Sequence, residues 1–232
     1  MLILNRVTKT YHVGIEDFPA LQGITLKIES SAFMAFVGPS GSGKTTLLNL
    51  IGGLDRPTSG EIILNNLNLK QLRNEELAAL RRAQIGFIFQ SHNLLPVYSI
   101  YENVLFPLLL TGKKESEVRG RVMQMVESVG LGPLARKKPA ELSGGQCQRA
   151  AIARALVKQP SLVLADEPTA NLDTENSCLI LELMRNLNET YKAAFIFSTH
   201  DERVIKYVRR EIRLQDGQVS RDMRRNGLGV LE

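Results

Sequence analysis

The first candidate for chemistry in this chain is a glycine-rich segment that fits the pattern G-x-x-x-x-G-K-[ST]. It consists of Gly38, Pro39, Ser40, Gly41, Ser42, Gly43, Lys44 and Thr45, with Thr46 directly after it. Glycines at this spacing let backbone N–H groups point at phosphate oxygens, and the helix that follows presents its positive end to the anion. Lys44 can then neutralise the outer phosphates, and the Thr45 hydroxyl can ligate Mg²⁺. The segment therefore predicts a phosphate-binding loop.

A second candidate is a pair of acids that follows an apolar run. Residues 162–165 are Leu-Val-Leu-Ala, and Asp166 and Glu167 come next. Strands often end in acids, so the pair is weak on its own, but a phosphate loop in the same chain makes it specific. We predict that Asp166 belongs to the Mg²⁺ shell and that Glu167 polarises the attacking water as a general base.

Three further side chains are candidates for the same site. His200 closes another apolar run where the terminal phosphate should lie, and we predict that it acts there. Gln90 follows the run 85–89 and could reach Mg²⁺ or the attacking water. Tyr11 is the best-placed early aromatic residue to stack on a base, with a packed tyrosine as the alternative.

A second glycine-rich segment lies far downstream. It consists of Leu142, Ser143, Gly144, Gly145 and Gln146, just before a predicted helix. A hydroxyl and free N–H groups converge there at a helix N-terminus, which makes a second anion site. Two phosphate-binding segments on one chain indicate that two copies share each nucleotide.

The elements that must position these residues follow from apolar periodicity. Four apolar runs predict buried strands of a parallel sheet, namely residues 33–37, 85–89, 162–165 and 194–197. In open α/β sheets ligands bind at the carboxyl ends of the strands, and each of these runs ends in one of the polar groups above. Predicted helices cover residues 44–51, 74–82, 116–129, 146–157 and 174–191, and predicted antiparallel strands cover residues 2–7, 24–28 and 61–64.

The fold class is therefore α/β, with one domain over residues 1–232. We expect a nucleotide-binding core in residues 1–90 and 161–220, a helical subdomain in residues 91–160, and a basic tail in residues 221–232. The net charge is +5, and its densest basic clusters are residues 137–138, 206–213 and 221–225. Solvated helix faces and a loose tail explain them more simply than anionic lipid or nucleic acid does. The longest apolar run, residues 104–110, is too short to span a membrane, and the N-terminus does not read as a signal peptide.

These motifs resemble the nucleotide-binding subunits of ATP-binding cassette (ABC) transporters over roughly residues 2–219. The resemblance implies a P-loop NTPase (RecA-like) core that hydrolyses ATP with Mg²⁺. It makes residues 142–146 the signature loop, Gln90 the Q-loop, Asp173 part of the D-loop, His200 the switch histidine and Tyr11 the adenine-stacking residue. It also implies a head-to-tail dimer in which each ATP lies between one subunit's phosphate loop and the other's signature loop.

Finer segments resemble the lipoprotein-releasing (LolD-like) and macrolide-exporting (MacB-like) ATPases of that family. They are residues 52–60, 85–90, 93–96, 102–104 and 107–108. The resemblance implies a peripheral protein at the cytoplasmic face of the inner membrane, serving integral membrane subunits and no nucleic acid. Those subunits would dock in a groove supplied by the segment from Ser91 to Tyr101, where Leu94, Leu95 and Tyr98 are expected to be exposed.

The alternatives come from other classes. A soluble ABC ATPase acting on DNA or ribosomes would usually carry long coiled coils, zinc-ligating cysteines or a second cassette, which this chain lacks. A small-molecule kinase or GTPase would lack the signature loop, and a pure scaffold would not fill every expected catalytic position. Cys147 stands where the family usually has glutamine, and we expect bulky reagents on this thiol to slow turnover.

Overall fold

Ten strands and seven α-helices form the protein in the computed structural model, which describes residues 1–14 and 16–225. The strands are β1 (Leu2–Val13), β2 (Glu16–Ile28), β3 (Phe33–Val37), β4 (Ser59–Leu64), β5 (Leu67–Asn68), β6 (Ile85–Ile88), β7 (Leu162–Asp166), β8 (Ala194–Thr199), β9 (Arg210–Gln215) and β10 (Gln218–Arg224). The helices are α1 (Lys44–Ile51), α2 (Asn74–Gln84), α3 (Ile100–Leu109), α4 (Glu115–Ser128), α5 (Gly144–Leu156), α6 (Thr174–Tyr191) and α7 (Glu202–Tyr207).

The main sheet has six strands in the order β10-β9-β3-β8-β7-β6. Pairing is parallel from β9 to β6, and only β10 is antiparallel to its neighbour. Every residue of β3 and β8 is buried, as expected for parallel strands that are covered on both faces. The four strands predicted from apolar runs are confirmed, and they lie side by side.

A second sheet of four antiparallel strands has the order β2-β1-β4-β5. The three predicted antiparallel strands are confirmed as parts of β1, β2 and β4. Strands β1 and β2 extend beyond the prediction to form a long hairpin, pairing as far as Val13 with Glu16. Polar and apolar residues do not alternate in this extension, so the pattern that marks a strand is missing there.

Helices pack on both faces of the main sheet and create two apolar clusters. Phe33, Ala35 and Val37 face one cluster, which contains side chains of α3 to α6. Met34 and Phe36 face the other, which contains α1 and the antiparallel sheet. Burial of this apolar surface, at about 25 cal/mol per Å², holds β3 between the layers and so fixes the start of the phosphate loop.

The segment between β6 and β7 is helical in the described residues, and α3 within it has no counterpart among the predicted helices. Ser99 caps α3: its hydroxyl accepts from the Glu102 N–H, and the Glu102 carboxylate accepts from the Ser99 N–H at 2.7 Å. Pro107 lies in the last turn of the helix, which it therefore does not break. No helix in the described part of the chain has the length and apolar character needed to cross a bilayer.

The expectation of a basic tail from residue 221 is wrong for residues 221–224, which belong to β10. Charge pairing explains the difference, because Arg210 on β9 forms a bidentate ion pair with Asp222 on β10 at 2.7 and 2.8 Å. Glu211 is buried between Arg213 and Arg225. Residues 226–232 of the expected tail lie outside the described residues.

Candidate active site

The phosphate loop runs from the end of β3 into α1, and Gly43 is the residue that caps the helix. Gly43 has a φ of 98°, in the left-handed region, and no side chain caps the first turn of the helix. A Cβ at this position would lie 2.6 Å from the carbonyl oxygen of Ala20 on β2. Only glycine fits, so the first N–H groups of α1 stay free to receive an anion.

Lys44 places its ammonium group inside the curl of the loop. The Nζ atom donates to the carbonyl oxygens of Gly38 at 2.7 Å and Pro39 at 2.9 Å, and the residue is buried. Ser42 is also buried, and its hydroxyl has no hydrogen-bond partner in the described residues. A held cation, free N–H groups and an orphaned hydroxyl together suit a polyphosphate.

Thr45 faces the acid at the end of β7. Its hydroxyl lies 3.3 Å from both carboxylate oxygens of Asp166. Asp166 is brought there by the parallel pairing of β7 with β8 and of β8 with β3. The hydroxyl and the carboxylate come from residues 121 positions apart in the sequence, so the fold alone brings them together.

Glu167 has a φ of 46°, an unusual value for a residue with a side chain. Its N–H donates to the Ser198 carbonyl at 2.9 Å. One carboxylate oxygen accepts from the Thr199 hydroxyl at 3.1 Å, and the other accepts from Nδ1 of His200 at 2.7 Å. Backbone strain at such a position, about 1–3 kcal/mol, persists only where several contacts hold it, as they do here.

Asp201 braces the two strand ends that carry Glu167 and His200. Its carboxylate accepts from the Thr169 hydroxyl at 3.1 Å and from Nε of Arg203 at 2.9 and 3.0 Å. Burial raises the pKa of Asp201, but the hydrogen bonds from Arg203 and Thr169 outweigh it, so the pKa lies below its usual value. The brace is therefore charged at neutral pH.

Gln90 is exposed just beyond β6. Hydrogen bonds connect Gln90 and the residues after it to Asn171 and to α5. The Gln90 carbonyl oxygen accepts from the Asn171 side chain at 2.9 Å. The Arg154 guanidinium on α5 donates to the carbonyl oxygens of His92, at 2.7 Å, and Asn93. The segment after Gln90 is thus attached directly to the helix that begins at the second glycine-rich segment.

A cleft of about 500 Å³ lies above the phosphate loop. The predicted residues that line it are Pro39, Ser40, Gly41, Gly43, Lys44, Thr45, Thr46, Gln90, Glu167 and His200. The other predicted residues of this group, Gly38, Ser42 and Asp166, are not in its lining. Gly38 and Ser42 belong to the loop itself, and Asp166 lies beside Thr45. Lysine, glutamine, carboxylate and histidine groups from four strand ends therefore converge on one space.

Tyr11 does not line this cleft, but it lies on the hairpin beside it. Its partner across the hairpin is Phe18, two residues from Ala20, which does line the cleft. The Tyr11 side chain is 38% exposed, and its hydroxyl donates to Asp55 at 3.1 Å. The alternative of a packed core tyrosine does not fit this exposure.

The second glycine-rich segment faces elsewhere, since none of residues 142–146 lines the cleft. The Ser143 hydroxyl caps α5 by accepting from the Gln146 N–H at 3.3 Å. Gly145 lies against Asn176 of α6, whose first turn is capped by the Asp173 carboxylate at 2.8 Å. Ser143, Gly144 and Asp173 are exposed and therefore form one surface apart from the cleft.

The sequence profile described as "ABC transporter" matches residues 21–170, well over half of the chain. The chain belongs to the ABC transporter family. As a member it is an ATPase whose hydrolysis is coupled to transport, so the alternatives of a soluble DNA-acting ATPase, a kinase and a GTPase are wrong. It is the ATP-driven subunit of a membrane transporter complex.

Similar proteins share the whole cassette. The "Lipoprotein-releasing system ATP-binding protein LolD" of Legionella pneumophila strain Lens is 45% identical over 94% of this chain and 96% of its own. The protein of the same name from strain Paris is 43% identical over the same shares. The solved cassette MJ0796, dimeric in a post-hydrolysis state with ADP and phosphate, is 42% identical. It matches with a TM-score of 0.89 over 98% of this chain and 100% of that one.

The expected exposure of Leu94 and Leu95 in this ABC cassette is wrong. Leu94 packs against the core, and Leu95 is half-buried with its N–H bonded to the Asn103 side chain at 2.7 Å. Tyr98 is exposed as expected, and Val97, at 70%, is more so. The short apolar pattern was ambiguous because it does not tell which residues of an irregular segment turn inward.

Besides Asp201, three residues of the cassette's site have no role in the sequence prediction. Ala20 and Ala170 line the cleft, and Thr199 holds the Glu167 carboxylate. Alanines carry no chemical signal, so nothing in the sequence could have found them. Thr199 precedes His200 at a strand end and was the one residue with a usable signal.

Proposed function

We propose that this chain is the ATP-hydrolysing subunit of a lipoprotein-release complex and converts ATP and water to ADP and phosphate. The lipoprotein-releasing relatives span nearly the whole chain, which supports this cargo class. The observation that carries the catalytic assignment is the Glu167 carboxylate, held between Thr199 and His200 in the lining of the phosphate-loop cleft.

Glu167 would act as general base toward the water that attacks the terminal phosphate. A carboxylate fixed by two hydrogen bonds is already oriented, so orientation costs nothing during the reaction. His200 and Lys44 would stabilise charge on the transferring phosphoryl group. Gln90, exposed in the cleft lining, would contact the attacking water or the metal. Tyr11, exposed beside the cleft, would stack on the adenine.

The residues at the end of β7 fit Mg²⁺. Thr45 and Asp166 supply a hydroxyl and a carboxylate 3.3 Å apart, with Gln90 nearby in the cleft lining. The described residues hold no group of three or more His, Cys, Asp or Glu that could bind a metal. Mg²⁺ does not need one, because it is usually held by one or two protein oxygens, water and substrate phosphates. When bound, it neutralises charge on the phosphates.

Two copies of the chain would share each nucleotide. The cleft lining lacks the signature loop, and Ser143 with Asp173 faces a separate exposed surface. A second copy can bring its signature loop to the first copy's cleft, and a two-fold arrangement then completes two sites at once. The similar solved cassettes are described as dimeric, which supports this arrangement.

The membrane partner would dock in a groove of about 950 Å³ between α3 and α4. Of the predicted segment, only Tyr98, Ser99 and Tyr101 line it, so docking would centre on α3 rather than on residues 91–97. Tyr98 and Leu109 supply exposed apolar surface. An amphipathic helix from the cytoplasmic side of the membrane subunit would suit this groove.

The groove also carries an imbalance of charge. Arg119, Arg136 and Lys138 line it and form no salt bridge with another described residue. Its two acids are engaged locally: Glu102 caps α3, and Glu115 accepts from the Tyr101 hydroxyl at 2.9 Å. The docking helix would therefore carry acidic residues. Docking there would hold the protein at the cytoplasmic face of the inner membrane.

The test is affinity purification of the tagged full-length chain from mildly solubilised host membranes. We expect an integral membrane subunit with few spans and a large extracytoplasmic domain to co-purify. Arg136→Glu should reduce that recovery, whereas Lys137→Glu should not, because Lys137 lies outside the groove and pairs with Glu141. Recovery of ribosomal or nucleic-acid proteins alone would contradict the proposal.

A further inference from the structure

A cluster of charged side chains surrounds Tyr11 on the edge of the antiparallel sheet. The Tyr11 hydroxyl donates to one carboxylate oxygen of Asp55 at 3.1 Å. The other oxygen accepts from the Lys9 ammonium at 2.7 Å and from the Arg56 N–H at 2.6 Å. Lys9 also donates to the Arg56 carbonyl at 2.9 Å. Each polar group of the cluster is therefore held by at least one partner.

Lys9 covers one face of the aromatic ring. Its Nζ atom lies 4.8 Å from the ring centroid, within the range of a cation–π contact. The Lys9 side chain is only 13% exposed, so this ammonium group is largely shielded from water. Because the Tyr11 side chain is itself 38% exposed, the uncovered part of the residue is the part that a ligand could reach.

Asp55 connects this ring to the helix that starts at the phosphate loop. α1 ends at Ile51, and the chain then turns through residues 52–54 to Asp55, with the Leu54 N–H bonded to the Asn49 carbonyl at 2.9 Å. The N-terminus of α1 thus carries the phosphate loop, and the turn beyond its C-terminus holds the Tyr11 hydroxyl.

We propose that Lys9 and Asp55 are positioning residues that fix Tyr11 as a one-sided platform for the base of the nucleotide. Lys9 closes one face of the ring, and Asp55 holds its edge at a set distance from the phosphate loop. A base can then stack only on the opposite face. This inference rests on the proposed stacking of adenine on Tyr11. It adds the two residues that would fix the position of the ring and the face on which the base stacks.

The test compares two ligands that differ in whether they carry a base. The affinities of the purified full-length chain for ATP and for inorganic tripolyphosphate are measured by calorimetry. Asp55→Asn and Lys9→Met should each weaken ATP binding about three- to ten-fold, the scale of one lost cation–π contact or hydrogen bond. Binding of tripolyphosphate, which has no base, should not change. A general loss of structure would weaken both ligands together.

Conservative variants separate the contributions. Asn at position 55 keeps an oxygen for the Arg56 N–H, so the turn itself should survive. Lys9→Arg keeps a cation over the ring and should bind ATP like the unmodified chain. Glu189→Gln is the control, since it removes one partner of an ion pair with Arg209 on another surface.

Failure of the inference can be told from failure of the proposed function. If Tyr11→Ala binds ATP as tightly as the unmodified chain, the stacking assignment itself is wrong. If Tyr11→Ala weakens ATP binding but Lys9→Met and Asp55→Asn do not, stacking stands and the positioning role is overturned. Should Asp55→Asn melt at a much lower temperature, the comparison of Lys9→Met with Lys9→Arg decides alone.

Discussion

Replacing Glu167 by glutamine is the most direct perturbation of the catalytic assignment. Glutamine keeps the length and shape of the side chain but cannot accept a proton. Its amide oxygen can still accept from the Thr199 hydroxyl, which lies 3.1 Å from the carboxylate. The contact with His200, 2.7 Å in length, survives with glutamine as the donor if the histidine is neutral. The variant should therefore fold normally.

The expected size of the effect follows from what is kept and what is lost. The contact with Thr199 is kept, and the contact with His200 can be kept. The change in the free energy of unfolding should therefore stay below about 1.5 kcal/mol, the net value of one hydrogen bond. Loss of the general base should lower kcat by about 10²- to 10⁴-fold. ATP affinity should change little, because the phosphate loop is untouched. The variant should therefore accumulate in its ATP-bound state.

The assay has two readouts on the same sample. Phosphate release gives kcat, and light scattering at saturating MgATP gives the mass of the particle. We expect almost no turnover and a stable dimer. A kcat within three-fold of the unmodified chain would refute the role of Glu167, and a variant that stays monomeric would refute the shared site. A normal melting temperature serves as the folding control.

Three further perturbations test separate parts of the structure. Ser143→Ala should leave ATP binding by the monomer intact but weaken the ATP-bound dimer. It also removes a helix cap, so thermal melts should show a loss of about 1 kcal/mol in the free energy of unfolding. An unchanged dimer would contradict the shared site. Burial raises the pKa of the Cys147 thiol, so its alkylation rate should still climb with pH where an exposed cysteine has levelled off. A bulky maleimide there should slow turnover, with Cys147→Ser as the control and unaffected turnover after full modification as the contrary result. Gly38→Ala should lower the melting temperature, because its Cβ would collide with the Leu214 carbonyl oxygen and the chain would have to move, at a cost of about 1–3 kcal/mol. An unchanged melting temperature would contradict this reasoning.

Local patterns were enough to predict the parts of the site that one segment makes alone. The phosphate loop and the acids after β7 follow from short motifs next to apolar runs, and the bounds of α1 and α6 agree with the prediction. The bracing of Glu167 by Thr199, and of the strand ends by Asp201, could not be predicted in this way. These contacts depend on the register between distant strands, which composition does not encode.

The charged strands β9 and β10 were also missed by the sequence prediction. Residues 206–213 and 221–225 read as solvated basic clusters because lysine and arginine side chains are mostly exposed. In the fold Arg210 is matched by Asp222, and the buried Glu211 by Arg213 and Arg225, so the charges are paired within the hairpin. The pairing partners lie on neighbouring strands, and a one-dimensional pattern cannot show which charges meet.

The pairing of β3 with β9 has a consequence for how the protein is made. Met34 to Val37 lie beside Arg210 to Arg213, so the strand that leads into the phosphate loop gains one neighbour from a segment far downstream in the sequence. A ribosome delivers β9 long after β3, and contacts between such distant segments form slowly. Until β8 and β9 have been made, the nascent chain therefore carries a phosphate loop whose supporting strand lacks both of its neighbours. The motif alone is therefore not the whole phosphate site, because a chain truncated before β9 contains all of its residues but lacks one of the two strands that flank β3.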